Sequence, residues 1–280
     1  MRYLIIPHLR VQRANALATP WIISTAPVFA CTLLAHAIGR DVGVQPEAVG
    51  IVHHDAQLLA ESDLPKSFGD HFPHQYRGAS YIDKDDYSSK NKHALSLQPA
   101  ASMHLELSLV LAYEEVCPAV ESIRNSLRQR RVAGGLIAEH GNPVVTSRFE
   151  GKGGVWSVIR SGHWLIDRSS ELVKGDQGRV ASLLALVNDY PPNRTGDQKP
   201  KRLWLTPAVM GYAAITPFAK RKGARGGFPH TFAEPLVGLV EYQGHHQTDE
   251  ADPLLWRGQW LHDDVFAVRS FPISQLQQGE

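Results

Sequence analysis

The stretch that decides the fold is Met103-His-Leu-Glu-Leu-Ser-Leu-Val-Leu111, because apolar and polar residues alternate along it. A period of two is typical of a β-strand with one buried face. The leucines at every second position are expected on the buried face. The intervening polar residues are expected on the opposite face: His104, Glu106 and Ser108. The pattern therefore predicts a strand at the centre of a sheet.

Two helices and three further strands are predicted around this central strand. The patterns that precede it favour a strand, a helix with a stop at Gly39, and a strand; those that follow it favour a helix and a short strand. The order strand–helix–strand–strand–helix–strand is that of the ferredoxin-like (RRM-like) unit, so the sequence predicts an α+β protein. The ranges, in chain order, are 3–12, 27–40, 48–54, 118–131 and 132–138.

The chain divides into three predicted regions. Residues 1–139 form the ferredoxin-like palm, with a polar loop or hairpin inserted at 60–98. Residues 140–202 contain turns, one helical stretch and a proline-rich linker, which indicates an inserted subdomain. Residues 203–280 return to strands that are expected to pack on the palm, and they carry a basic loop at 218–228.

Composition excludes several classes of protein. The 280 residues are 43% hydrophobic and 20% charged, which excludes disordered, collagen-like and coiled-coil chains. The two cysteines, Cys31 and Cys117, are too few for a disulfide framework or a cysteine-based zinc site. No apolar run is long enough to span a membrane, and the start of the chain favours a strand over a signal peptide. We therefore expect a cytoplasmic protein that does not contact membranes.

Charge is unevenly distributed along the chain. The formal net charge is only +1. Residues 194–225 nevertheless contain eight basic residues and one acidic residue, whereas residues 230–280 contain two basic and eight acidic residues. Any nucleic-acid-binding surface must therefore be local.

No motif for metal, cofactor or nucleophilic chemistry is present. Fourteen histidines occur, but none has the spacing of a metal site. Neighbouring residues on a strand, such as His53 and His54, point to opposite faces. No nucleophile elbow and no phosphate-binding loop occurs. The sequence predicts no cofactor, no metal and no catalytic residue.

Three basic patches indicate binding to nucleic acid. Residues 218–228 combine four cations with glycines and flanking aromatic residues, which suits a loop that wraps a phosphate backbone. A helix face and the segment 10–15 provide the other two patches. The alternative is an ordinary solvated surface, but three patches on a fold that commonly binds RNA favour RNA.

Six segments, in this order, resemble one known family. They resemble the Csy-two family, Cas-five-type members of the RAMP superfamily that belong to type I-F CRISPR surveillance (Csy, or Cascade) complexes. The segments are Leu9–Leu17, Val49–Asp55, His104–Leu111, Arg131–Gly135, Pro207–Tyr212 and Phe232–Glu234.

The resemblance implies a specific role in antiviral defence. It implies a palm with an inserted thumb and a non-catalytic subunit that caps the 5′ handle of the CRISPR RNA (crRNA). Its partners would be the large subunit, the Cas-seven-type backbone subunit and, through the complex, target DNA. Arg13, Asn15 and Arg225 would contact the handle, and Arg131 would act with the glycines at 134 and 135.

The predicted RNA-binding residues fall into three groups by chemistry. Glutamine, asparagine and histidine side chains would contact bases or sugars, and these are Gln12, Asn15 and His54. Trp21 is predicted to stack on a base. The residues predicted to neutralise phosphate are Arg10, Arg13, Arg124, Arg131, Lys220, Arg221, Lys222 and Arg225.

Two other functions remain open from the sequence. One is a metal-independent CRISPR RNA-processing endoribonuclease of the same fold, with His36, His54 or His104 as general base. None of these has a cationic companion at short spacing. The other is a structural bridge whose basic surface binds an acidic partner instead of RNA.

Overall fold

A large antiparallel sheet with few helices forms the body of the chain. The structure is a computed structural model, which describes residues 1–62, 71–73, 76–79, 97–173, 178–188, 204–222, 225–249 and 251–274. Within these residues one sheet contains eleven strands, and four α-helices pack around or beside it. The prediction of an α+β protein is confirmed.

The strands and helices have the following bounds. The α-helices are α1 (Val28–Val42), α2 (Val120–Leu127), α3 (Val155–Val158) and α4 (Arg179–Asn188). The strands of the first half are β1 (Arg2–Asn15), β2 (Leu17–Thr19), β3 (Ile22–Ile23), β4 (Ala48–Leu58), β5 (Ala60–Ser62), β6 (His71–Pro73), β7 (Tyr76–Ala79), β8 (Leu97–Ala100) and β9 (Ser102–Tyr113). Those of the second half are β10 (Arg131–Val132), β11 (Gly135–Glu139), β12 (Val144–Thr146), β13 (His163–Asp167), β14 (Leu205–Ala214), β15 (Ala233–Gly244), β16 (Leu255–His262) and β17 (Val265–Phe271).

The alternating stretch lies in β9, between β1 and β4, and pairs antiparallel with both. Its four leucines are at most 3% exposed and belong to one core cluster, which also contains Ile38 of α1 and Ile123 of α2. The prediction of a central strand with a leucine face is confirmed. On the other face Val110 and Ala112 enter a second core cluster, so β9 is covered on both sides along part of its length.

Helix α1 is longer than the sequence predicted. It passes through Gly39 and ends at Val42, where Gly43 adopts the left-handed conformation with φ +77°. The predicted stop at Gly39 is wrong, because this glycine serves close packing: a Cβ there would lie 2.8 Å from the side-chain carbon of Gln45. Gly43 is the residue that ends the helix.

Helix α2 is shorter than predicted, and a tight hairpin follows it. The helix ends at Leu127, and Ile123 and Leu127 are buried as expected. Strands β10 and β11 pair across Ala133 and Gly134, which both have positive φ, as two-residue hairpin turns require. A Cβ on Gly135 would lie 2.7 Å from the backbone of Ala14, so this position brings the hairpin against β1.

Five strands of the second half and β4 close into a ring. Strands β13 and β16 both pair with the same edge of β4, and the path β13–β15–β14–β17–β16 connects them. The described part of the predicted insertion at 140–202 contributes β12 and β13 to the main sheet. The division of the chain into three regions stays a prediction. Most of the predicted insertion at 60–98 lies outside the described residues.

The second core cluster covers only one half of the sheet face opposite α1 and α2. Phe149, Val155 and Trp164 pack there against Tyr3 and Val52. The other half of that face, formed by the later part of β1 and the facing parts of β4 and β9, carries polar side chains. None of the described helices is long and apolar enough to cross a membrane.

Candidate nucleic-acid interface

The later half of β1 carries four of the predicted RNA-binding residues, which we call the β1 patch: Arg10, Gln12, Arg13 and Asn15. The guanidinium of Arg10 contacts two carboxylates that neighbouring strands supply. Its Nε lies 3.2 Å from Glu106 of β9, and its Nη1 lies 3.0 Å from Glu139 of β11. Both acids raise the pKa of Arg10 further, and the hydrogen bond that Arg10 donates to Glu106 is the largest cause. Much of the charge of this arginine is therefore already balanced.

A bulge shapes the rest of the β1 patch. The register shifts between Val11 and Ala14, and Arg13 adopts a positive φ of 53°, which turns its side chain out of the regular alternation. The carboxamide of Asn15 closes a turn, because its Nδ2 donates to the carbonyl of Leu17 at 3.0 Å and its Oδ1 accepts from the Leu17 amide at 3.1 Å. Gln12 is exposed.

His54 lies on the open half of the sheet face and is neutral at pH 7. Its ring stacks on that of His8 with 4.5 Å between centroids, and its Nε2 lies 2.7 Å from Ser108 Oγ. The Nδ1 of His8 lies 2.7 Å from Glu106. Burial is the main reason that the pKa of His54 falls from 6.5 to about 4. The ring is therefore a hydrogen-bonding group, not a cation.

Arg124 of α2 and Arg131 of β10 each donate hydrogen bonds to nearby groups of the chain. Arg124 donates to Glu121 at 3.0 Å and to Asn142 at 3.1 Å. Arg131 is exposed and donates to the carbonyl of Gly134 at 3.3 Å, so its contact inside the hairpin is to a neutral acceptor.

The segment between β14 and β15, residues 215–232, is the part of the interface that we call the arm. It is described except for residues 223–224. Its two sides are joined by a pair of backbone hydrogen bonds between Ala219 and His230, at 3.0 and 2.8 Å. Lys220, Arg221 and Lys222 follow this bridge and are exposed.

Lys220, Arg221 and Lys222 contact no carboxylate among the described residues. The Arg221 guanidinium lies 4.8 Å above the ring of Phe232 and donates to Thr216 Oγ1 at 3.3 Å. Both of these partners are uncharged, so no described acid compensates the charge of Arg221. The backbone of Arg225 begins a short 3₁₀ turn, Arg225–Gly227; its side chain lies outside the described part of the chain.

Exposed aromatic side chains surround these cations. The exposed fractions are 47% for Phe218, 71% for Phe228, 60% for Phe232 and 61% for Trp260. The rings of Phe218 and Trp260 are 6.3 Å apart between centroids. Sequence reasoning missed Trp260, because pairing of β14 with β17 and of β17 with β16 is what brings it to the arm.

Trp21, the predicted stacking residue, lies at the turn between β2 and β3. It is 68% exposed, and its backbone amide donates to Thr19 Oγ1 at 3.3 Å. Its ring contacts no ring of a described residue. Trp21 therefore offers an open face, and no cation of the described residues stacks on its ring.

The end of β1, the hairpin after α2 and the strand that leads into the arm meet beside the start of α1. The backbone amide of Asn15 donates to the carbonyl of Ala133 at 2.8 Å, which joins the end of β1 to the hairpin that carries Arg131. Asn15 and Ala133 also line a cavity of about 140 Å³, together with Phe29 of α1 and Tyr212 of β14, three residues before the arm. Arg10 lies beside Glu106 on the other face of the sheet.

The described residues contain no group of three or more histidine, cysteine, aspartate or glutamate side chains that could hold a metal ion. The three candidate bases are not gathered at one place. His36 lies on α1, whereas His54 and His104 lie on strands of the sheet.

Comparison with known proteins gives two matches that agree. Residues 4–266 match the family model of the CRISPR-associated protein Csy2. The chain is also similar to "CRISPR-associated protein Csy2" from Pseudomonas aeruginosa (strain UCBPP-PA14). The two are 25% identical over an alignment of 304 positions, which covers 90% of each protein.

Proposed function

The chain belongs to the Csy2 family of CRISPR-associated proteins, and from this membership we propose that it is a non-catalytic, RNA-binding subunit of a type I-F CRISPR surveillance complex. In this role it binds and caps the 5′ handle of crRNA. It docks the large subunit, abuts the Cas-seven-type backbone subunit and reaches target DNA only through the complex.

The observation that carries this proposal is the contrast between the cations of the arm and Arg10 of the β1 patch, which is paired with two carboxylates. Lys220, Arg221 and Lys222 are exposed and contact no described carboxylate. Phosphate oxygens are the ligands that such a cluster binds best. The exposed aromatic rings beside them suit unpaired bases, which favours a single strand over a duplex.

The order of the first strands supports the ferredoxin-like palm. Strand β1 lies between β11 and β9, and β9 lies between β1 and β4, all antiparallel. This is the neighbour order of a ferredoxin-like unit, with α1 and α2 on the same face. The RAMP assignment and a thumb within 140–202 are parts of the same proposal.

The endoribonuclease alternative has weaker support. His36 lies on α1, whereas His54 lies on β4, where it contacts Ser108 and stacks on His8. Arg10, the cation of the neighbouring strand β1, is paired with two carboxylates. A general base and a cation that stabilises the transition state must lie within reach of one phosphate.

The structural-bridge alternative differs from our proposal in needing no RNA.

The test is to co-express the chain with the large subunit and a CRISPR array, and to sequence the 5′ ends of the RNA that co-purifies. We expect a uniform handle derived from the repeat, which is lost when Lys220, Arg221, Lys222 and Arg225 are replaced by alanine. Random cellular RNA, or none, would contradict the proposal. Metal-independent cleavage of repeat RNA that His54→Ala abolishes would support the endoribonuclease instead.

A further inference from the structure

We propose that Trp260 and the groove beside it form a base-stacking site for one unpaired nucleotide, whose flanking phosphates bind Lys220 and Lys222 of the arm. The inference rests on the proposed function, since it assigns a substrate class to the same surface. It adds a residue, Trp260, and a pocket that lie outside the basic loop.

The groove has the size and shape for a single base. It lies between α1 and β16, has a volume of about 380 Å³ and is lined by Trp260, Phe266 and Gly258 on the strand side. Trp260 packs edge-on against Phe266, with 5.3 Å between centroids and 66° between planes. This contact holds the indole in place while 61% of the residue stays exposed. A ring fixed in this way stacks on a base at little entropic cost.

Two charged residues line the groove, Glu47 and Arg257, together with the polar residues His36 and Gln45. The Arg257 guanidinium lies over the ring of Phe271, 4.9 Å from its centroid. A carboxylate repels phosphate but accepts hydrogen bonds from a base, so Glu47 suits the edge of a base. The proposal therefore places the base in the groove and the flanking phosphates on the arm.

The arm lies where that phosphate would be. Phe218 contacts Trp260, and Lys220 and Lys222 follow Phe218 at two-residue intervals. Both lysines are exposed, so they are available to phosphates on either side of a base held at Trp260. Cations and an aromatic platform in this arrangement are typical of sites for single-stranded nucleic acid.

A labelled oligoadenylate and an oligonucleotide with one 2-aminopurine test the site in the full-length chain. Trp260→Leu should weaken oligoadenylate binding about 10-fold, as expected for one lost stack, without changing the dependence on salt. It should also abolish the quenching of 2-aminopurine fluorescence. Trp260→Phe should keep most of both signals. Leu261→Ala is the matched control, because Leu261 is the next residue of β16, is 49% exposed and does not line the groove.

The result that overturns the inference is separable from failure of the proposed function. Unchanged affinity and quenching in Trp260→Leu, with the handle RNA still recovered from the co-expressed complex, would remove the stacking site and keep the function. If Trp260→Leu causes the complex to lose a protein subunit while oligoadenylate affinity stays unchanged, the groove is a protein-docking surface and the inference is overturned. If Trp260→Leu lowers the melting temperature, two other variants decide the outcome. Trp260→Phe is tested by the quenching of 2-aminopurine fluorescence. The double variant Lys220→Ala/Lys222→Ala is tested by the salt dependence of oligoadenylate binding.

Discussion

The β1 patch and the arm contain similar basic residues in very different surroundings. Arg10 of the β1 patch lies against carboxylates from two neighbouring strands. Arg221 of the arm lies on a phenyl ring and a threonine hydroxyl. A phosphate that approaches Arg10 must compete with two fixed acids, whereas one that approaches Arg221 meets an uncompensated charge. Whether an arginine is a strong phosphate ligand therefore depends on residues that are distant in sequence.

The largest expected difference between the two regions concerns stability. Leu107 is fully buried beneath the sheet face that carries the β1 patch, whereas Phe228 is 71% exposed on the arm. Leu107→Ala should lower the free energy of unfolding by about 2–5 kcal/mol, because it leaves a cavity. Phe228→Ala should change it by less than about 0.5 kcal/mol. Urea unfolding measures both, and a comparable loss in the two variants would contradict a peripheral arm.

The next largest effect is expected on RNA affinity. The triple variant Lys220→Ala/Arg221→Ala/Lys222→Ala should bind single-stranded RNA on the order of 100-fold more weakly, at about 1 kcal/mol for each lost contact. Fluorescence anisotropy at fixed salt measures this. Lys152→Ala removes an exposed lysine of a distant turn and serves as the control. A loss below about 3-fold in the triple variant would remove the arm from the interface.

Strand β4, unlike the arm, should respond to moderate acid, because it carries two partly or fully buried histidines. Burial lowers the pKa of both His53 and His54 to about 4. Their contribution to stability is therefore complete above about pH 6.5 and is lost as the pH falls towards 4. The loss should be about 1.4 kcal/mol per pH unit for His53, and less for the half-exposed His54 because solvent screens it.

Unfolding at pH 7 and pH 5 checks this expectation. His53→Gln should flatten the change between the two pH values, whereas His262→Gln, on an exposed residue, should not. Equal pH dependence in the two variants would mean that His53 is not held neutral by burial. RNA binding through the lysines and arginine of the arm should stay constant over the same range.

The smallest effects on RNA affinity are expected from substitution of Arg10 and of Glu106, one of the two acids that bind it. Arg10→Ala should weaken RNA binding less than any single substitution of an arm cation does. Glu106→Gln should strengthen it about 2-fold, since it frees one side of the guanidinium. Anisotropy titrations of both variants measure these changes. A strong loss in Arg10→Ala would show that RNA displaces the carboxylates, and the β1 patch would then equal the arm in importance.

The sequence predicted the parts of the fold that depend on local pattern. The alternation at 103–111 and the faces of α1 and α2 followed from periodicity, because burial of one face sets it. Gly39 was misread, since close packing and helix termination both select glycine. The ring through β16 and β4 was not predicted, because nothing in the order of strands specifies which edge a late strand joins.

The candidate site was predicted in composition but not in arrangement. The cations of the arm were evident as a basic run with glycines. The neutralisation of Arg10 was not, because Glu106 and Glu139 reach it only through strand pairing. Trp260 was missed for the same reason, as it is more than forty residues from Phe218 in the sequence.

The dependence of RNA affinity on salt tests the central claim most directly, because its slope counts the phosphates that the protein neutralises. For a single strand each contact contributes about 0.7 to the slope of log affinity against log salt. We predict that the triple arm variant lowers the slope by about 2, and that Arg10→Ala lowers it by much less than 0.7. An unchanged slope in the arm variant, with a large decrease in Arg10→Ala, would contradict the account and place the phosphate contacts on the β1 patch.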